Sequence, residues 1–356
     1  MRLRRIAEAE AAVLVASGEV SAVGLTGSLS TGRLWPSSDL DMLITTEKPV
    51  ENRFRWTVRE GVVNHGCLVN WASVEAFRDR YPESFVDLTA DEYAMDSVWA
   101  LDGMVAMEVM HDPTGRLGAV KDFVAQRRFD PEVVRMRRPL LLARARKELT
   151  ALGTALAGNP ADEARWHYRK PVDLLAVVWL EKAGLVVSHK EIDPNLGDIG
   201  AATGNQGFRD LFRRAEGVAH LAVKREETAG VFDAYLRLYS PALAAVLESP
   251  GGGRFADDPY AAANCVYLRH TIWSVRYALE RDCLLHLGCV RDVLAEDDPS
   301  LLPRLLARCG RPMDDAAASA LSSAHRRALE TLAPGPWEPR AAAFEELLEL
   351  GAGLAG

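Results

Sequence analysis

The stretch that decides the fold reads Gly27-Ser28-Leu29-Ser30-Thr31-Gly32-Arg33-Leu34-Trp35-Pro36-Ser37-Ser38-Asp39-Leu40-Asp41. Before it, Val20 to Thr26 is an apolar, β-branched run; at its end, Asp39 to Thr45 reads D-L-D-M-L-I-T. Both runs read as strands, joined by a loop rich in Gly, Ser and Pro. Gly27 lets the backbone turn tightly at a strand end and approach a phosphate, to which backbone amides and the Ser28 hydroxyl offer hydrogen bonds. Ser38, immediately before the first acid, belongs to the same predicted binding set. Side chains i and i+2 of a strand share a face, so Asp39 and Asp41 present two carboxylates side by side. Two like charges so close are costly unless a cation bridges them, and Mg²⁺ takes oxygens from one or two carboxylates plus substrate phosphates. A lone D-x-D is ordinary on a solvated strand face. Here strand, Gly-Ser corner, loop and acid pair follow in order, and the expected occupant is a metal-bound nucleoside triphosphate.

Outward from this stretch, Ile6 to Ser17 has helical spacing and stops at Gly18. After a polar stretch from Glu47 to Glu60, Gly66 to Ala72 reads as a third strand and Ser73 to Phe77 as a helix start. Val105 to Val109 reads as a further strand, leading into the turn His111-Asp112-Pro113-Thr114-Gly115. From about residue 131 the pattern changes to 3.6-residue periodicity: Pro139–Leu156, Asp162–Ala183, Gly207–Ala222, Glu226–Leu247, Tyr260–Leu294, Leu301–Arg308, Asp314–Leu332 and Arg340–Leu350. The predicted organisation is an α/β (α+β) domain with a mixed β-sheet over 1–125 and an all-α helical-bundle domain over 130–356. The glycine-rich 249–257 loop can divide the second of these.

A chain of 356 residues exceeds one comfortable core, which agrees with two domains. With 26% charged and 48% hydrophobic residues the composition is globular. No stretch approaches the roughly 18 apolar residues of a membrane helix. The basic start runs into Glu8 and Glu10 rather than an apolar signal core, so the expected location is cytoplasmic. Five scattered cysteines do not suggest a disulfide framework. A net charge of −8 favours small-molecule substrates over a polynucleotide, which needs a basic face. The expected assembly is a monomer or homodimer.

The fifteen residues from Gly27 to Asp41 resemble the signature of the DNA polymerase β-like nucleotidyltransferases, and the length and helical second half look like the aminoglycoside and lincosamide (antibiotic) nucleotidyltransferases. The resemblance implies that Asp39 and Asp41 are catalytic and bind Mg²⁺, and that Gly27 and Ser28 hold phosphate. It implies transfer of a nucleoside monophosphate from a nucleoside triphosphate, ATP first among them, to a small-molecule hydroxyl, with release of pyrophosphate. The acceptor would be an aminoglycoside-like antibiotic or a natural-product intermediate. The turn at His111–Gly115 resembles one near the end of such catalytic domains. Gly184 to Glu191 resembles the segment whose lysine reaches the triphosphate, which makes Lys190 the candidate cation, with Arg169 and Lys170 as alternatives.

The family carries a third acid on the next central strand, as metal ligand or base. On the matching strand, Leu68-Val69-Asn70-Trp71, Asn70 takes that place, and an amide cannot accept a proton. Glu75, Asp87, Asp91, Asp96 and His65 are the other acids and bases nearby. Cys283-x-x-His286-x-x-Cys289 echoes metal-ligand spacing, but along one helix it rotates off a single face and lacks a fourth ligand. Tyr267, His270, Trp273 and Tyr277 read as core packing, with a wall for a ring-bearing acceptor as the alternative. Two rival readings stand beside the enzyme: a catalytically silent nucleotide-binding or regulatory protein, and transfer to a protein or tRNA.

Overall fold

The computed structural model describes residues 2–50, 54–88, 94–158, 170–188, 190–249 and 260–354, with 54, 94–99 and 158 described by backbone alone. Asp91, Arg169, the Asp96 side chain and most of the glycine loop at 249–257 fall outside the described residues. Helix α1 (Arg2–Ala16) leads into five strands: β1 (Ala22–Thr26), β2 (Leu40–Thr46), β3 (Phe54–Arg59), β4 (Val62–Asn70) and β5 (Glu108–His111). They form one sheet in the order β3-β4-β2-β1-β5. Only the β2–β4 pair is parallel, so the sheet is mixed, as expected. A four-residue helix, α2 (Gly27–Ser30), follows β1, while α3 (Trp71–Asp79), α4 (Glu83–Asp87) and α5 (Ala94–Val105) separate β4 from β5, and α6 (Arg116–Arg127) follows β5.

The period-two pattern of β1 and β2 builds two cores, one on each sheet face. Val23, Leu25, Leu40, Met42 and Ile44 pack with Ile6 and Leu14 of α1; Ala22 and Leu43 pack with Trp71, Phe85, Leu101 and Leu117 on the other face. The register between β2 and β4 is marked by Gly66, where an added Cβ would lie 2.7 Å from Ile44 Cδ1. Strand β3, within a segment read as polar, is a correction. Its sequence F-R-W-T-V-R alternates bulky and basic residues, which suits an edge strand, and a two-residue turn with positive φ at Glu60 (52°) and Gly61 (71°) folds it onto β4.

The second half is helical throughout its described residues: α7 (Pro131–Gly158), α8 (Lys170–Lys182), α9 (Ile192–Ala202), α10 (Phe208–Glu216), α11 (Arg225–Leu247), α12 (Ala261–Glu280), α13 (Leu285–Glu296), α14 (Leu301–Arg308), α15 (Asp315–Thr331) and α16 (Trp337–Gly353). Helix α8 is buried on every side from Pro171 to Glu181 and forms the axis of this half. The single helix expected over Tyr260–Leu294 is broken in two. Asp282 adopts φ +58°, Cys283 N donates to Ala278 O at 2.8 Å to close α12, and the Asp282 carboxylate is held by Arg209, Arg213 and Arg225. Helix α9 lies outside the runs of helical periodicity; its Pro194 sits in the first turn, where the missing N–H costs no helical bond. No helix among the described residues is long and apolar enough to cross a membrane.

Candidate active site

Strand register builds the site. Thr26 of β1 pairs with Asp41 of β2, Asp41 with His65 of β4, and His65 with Trp56 of β3, so these four residues form one row across the sheet. All four line a cleft of about 940 Å³ between the sheet and the helical half. That volume lies near the top of the range, roughly 300–1,000 Å³, of small-molecule sites, which leaves room for a nucleotide and a second ligand.

Gly27 turns away from the end of β1 with φ +71°, and a Cβ on it would lie 2.1 Å from Asp41 Oδ2. The Gly27 backbone therefore rests directly against the Asp41 carboxylate. Asp39, one residue before β2, opens into the same cleft. Burial pushes its carboxyl up to about 6, and the neighbouring Asp41 charge adds to this, while Lys190 and His65 pull it down. Two acids are thus held together at a cost that a cation would relieve.

The loop between Gly27 and Asp39 is braced from within. Ser28 Oγ donates to Ser38 Oγ at 2.9 Å, and Trp35 N donates to the same oxygen at 2.9 Å. Ser38 is buried and is not among the residues lining the cleft, so the expectation that it meets the nucleotide is corrected: its hydroxyl is an internal strut, and Ser37 lies on the wall instead. Trp35 plugs into the helical half, its ring 4.7 Å from Tyr277 and 4.8 Å from His286. Lys190 Nζ lies 5.7 Å from the Trp35 ring centroid and reaches the cleft, as does Arg33, which pairs with Glu191 at 3.6 Å.

The segment carrying Lys190 is anchored by a buried ion cluster. Val187 N donates to Asp102 Oδ2 at 2.6 Å, and the other Asp102 oxygen accepts from Arg128. Arg128 also donates to Glu181 Oε1 at 2.7 Å, and Arg137 lies 2.8 Å from that oxygen. Arg128 and Arg137 are both fully buried. Asp102 comes from α5 in the sheet half and Glu181 from α8, so the cluster ties the two walls of the cleft together.

Asn70 does not occupy the position beside the acid pair. It pairs with Thr46 at the far end of β4, where its side chain accepts from Ala72 N at 2.8 Å to cap α3 and donates to Lys48 O at 2.7 Å. The residue beside Asp41 is His65, whose Nδ1 lies 3.8 Å from Asp41 Oδ1. Glu75 pairs with Arg116 and Asp87 with Arg80, and neither lines the cleft; Lys170 is exposed at the start of α8, also off the cleft wall. The helix break puts Cys283 in a turn while His286 and Cys289 line the cleft from α13, and among the described residues no group of three or more His, Cys, Asp or Glu is set to hold a metal ion. Of the aromatic set, Tyr267 and His270 line the cleft, Tyr277 packs on Trp35, and Trp273 faces solvent.

No protein-family profile matches the chain. No curated protein sequence matches it. A solved structure that it is similar to is that of a nucleotidyltransferase-like protein from Exiguobacterium sibiricum 255-15, at 10% sequence identity over 93% of this chain and 89% of the other, with a TM-score of 0.32. So distant a likeness carries no weight for chemistry.

Proposed function

We propose that this chain is a Mg²⁺-dependent nucleotidyltransferase that moves a nucleoside monophosphate from a nucleoside triphosphate to a hydroxyl of a small molecule. The observation that carries the reading is the acid pair at the glycine corner: Asp39 and Asp41 share one cleft, with the Gly27 backbone against the Asp41 carboxylate and Lys190 close enough to act on Asp39. Two carboxylates without a third protein ligand suit Mg²⁺, which keeps its remaining positions for phosphate and water. When bound, that ion would neutralise charge developing on the phosphates. The residues' share of the work is positioning. Gly27 and Ser28 amides, Arg33 and Lys190 hold the triphosphate on the β1 flank of the acid pair. In-line displacement puts entering and leaving oxygens on opposite sides of the α-phosphorus, so the acceptor hydroxyl enters from the β4 flank. His65 stands on that flank and is the imidazole available to take the hydroxyl proton. Residues 1–125 serve as the catalytic domain and 130–356 close the cleft, in a cytoplasmic enzyme.

The test is pyrophosphate release with each of four nucleoside triphosphates and Mg²⁺, comparing the parent with Asp39→Asn. Loss of about a thousandfold or more in the variant is expected, since a metal ligand supplies several kcal/mol to such a transition state. Parent and variant behaving alike would remove the acid pair from the reaction. The silent nucleotide-binding reading draws on one observation, that β4 offers an imidazole and no carboxylate beside Asp41. Mg²⁺–ATP binding with no pyrophosphate release across a broad acceptor panel would favour it.

A further inference from the structure

The charges that face a triphosphate come from opposite halves of the chain: Asp39 and Asp41 from the sheet half, and Lys190 from the turn before α9. A lysine is a compact charge on a flexible four-carbon stem, so fixing its ammonium in one place costs side-chain entropy. Among the described residues the Lys190 ammonium forms no ion pair. It lies instead over the Trp35 ring, with Nζ 5.7 Å from the centroid, inside the distance of about 6 Å at which a cation is attracted to an aromatic face. Indole is the strongest of those faces.

Trp35 is held at both ends. Its peptide is bound to Ser38, the residue before Asp39: Trp35 N donates to Ser38 Oγ at 2.9 Å, and Ser38 N donates to Trp35 O at 3.0 Å. Its side chain belongs to the core of the helical half, 6% exposed, with Tyr277 of α12 and His286 of α13 as its ring neighbours. That seat is itself fixed. Ser274 Oγ and His286 Nε2 stand 2.8 Å apart and join the two helices, and α12 docks on the β3–β4 hairpin through Arg269, which donates to Gly61 O at 2.9 Å. One residue therefore reaches from the acid pair to the lysine, with its backbone tied beside Asp39 and its ring under Lys190.

We propose that Trp35 is a positioning residue for the triphosphate: its indole face holds the Lys190 ammonium in a fixed place relative to the acid pair, so that a cation from one half and two carboxylates from the other meet the same ligand. The inference rests on the nucleotidyl-transfer reading for the role of Lys190. Packing alone would be satisfied by any large apolar side chain. Holding a cation requires a π face, and the two demands are separable by substitution.

The experiment is a double-mutant cycle on the full chain. The four nucleoside triphosphates are titrated with Mg²⁺ by calorimetry, and the tightest binder is carried through Trp35→Leu, Trp35→Phe, Lys190→Met and the Trp35→Leu, Lys190→Met pair. Trp35→Leu should weaken binding about tenfold, the scale of a partly desolvated cation–π contact, and Trp35→Phe, which keeps a π face, by no more than about threefold. Lys190→Met should also cost about tenfold, and the double variant should lie within about twofold of it, because the ring then has no cation to hold. Proton spectra supply a reading that needs neither nucleotide nor a folded variant: the Lys190 ε-methylene resonances of the parent should be moved upfield by the Trp35 ring current. Losses that multiply to about a hundredfold in the double variant overturn the proposal, as expected of two independent sites. So does Trp35→Phe as weak as Trp35→Leu, or ε-methylene protons without the upfield shift. Each of those results leaves nucleotidyl transfer standing, whereas a parent that binds none of the four triphosphates sinks the transfer reading and the positioning role with it.

Discussion

Replacing Gly27 with alanine separates backbone strain from the contact on which the acid pair depends. The residue has φ +71°, and an L-residue held in that left-handed region costs about 1–2 kcal/mol. The new Cβ would also meet Asp41 Oδ2 at 2.1 Å and Cγ at 2.9 Å, well inside van der Waals contact, so the carboxylate must retreat by about 1 Å. Turning Asp41 off its rotamer adds about 0.5–1.5 kcal/mol. Gly32 supplies the control: its φ is +70°, yet nothing lies within 4 Å of its added Cβ, so Gly32→Ala pays the backbone cost alone. Thermal melts with and without Mg²⁺, run beside pyrophosphate release, read both parts. Both variants should lose similar stability to the backbone. Gly27→Ala alone should lose most of the Mg²⁺-dependent rise in melting temperature and about a hundredfold in turnover, the usual effect of a 1 Å misplacement at a reacting centre. Turnover of Gly27→Ala within about threefold of Gly32→Ala would refute the argument that the glycine exists to seat the Asp41 carboxylate.

Lys190→Met removes the cation assigned to the triphosphate and with it a charge that lowers the Asp39 carboxyl, so that carboxyl should rise further and the KM for the nucleoside triphosphate should rise about tenfold; an unmoved KM would release Lys190 from the triphosphate. The raised Asp39 carboxyl also sets a pH window. The protonated acid stabilises the metal-free fold in full below its usual 3.8, and that contribution is lost as pH rises through about 6, whereas a divalent ion needs the ionised form. Mg²⁺ affinity should therefore weaken by about tenfold per pH unit below about 6, and calorimetry showing a flat profile from pH 7 to 5 would contradict this. His270 acts in the opposite sense on the fold: its drop from 6.5 to about 4 corresponds to about 3 kcal/mol that is lost as pH falls through that interval, and a His270→Asn chain should lack this component of acid unfolding. Asp102→Ala leaves the fully buried Arg128 with Glu181 as its remaining partner and strips the acceptor from Val187 N, for an expected loss of about 3–5 kcal/mol in urea unfolding. A loss below about 1 kcal/mol would show that water reaches the cluster.

Much of the sheet half was legible because its signals are local. The run from Val20 to Thr45 carries alternation, a glycine at a strand end and an acid pair two residues apart, and each works over a few residues. The helical half was legible by periodicity, apart from places where one residue overrides the pattern: Asp282 breaks a long apolar run by adopting a left-handed conformation that three arginines stabilise. What escaped were relations across the chain. Asn70 and His65 lie on the same strand, and which of them stands beside Asp41 depends on the β2–β4 register, which hydropathy does not specify. Ser38 looks like a ligand by its place next to Asp39, yet it serves the loop, because the Trp35 amide and Ser28 hydroxyl reach it first. The contribution of α12 to the cleft follows from its docking on the hairpin more than 200 residues earlier in the chain.

The missing side chain at Gly66 has a consequence beyond tight packing. The Ile44 methyl occupies the space that a Cβ there would need, on the opposite sheet face from the Asp41–His65 row. It works as a peg in a notch. A slip of one residue between the two parallel strands would withdraw the peg, turn His65 towards α1 and bring Asn64 or Gly66 alongside Asp41. The alignment of the polar row is thus keyed by a hydrocarbon fit on the dry side of the sheet, so the cleft residues can be exchanged without loosening it, whereas a valine at position 66 would disarrange the reaction centre without touching it.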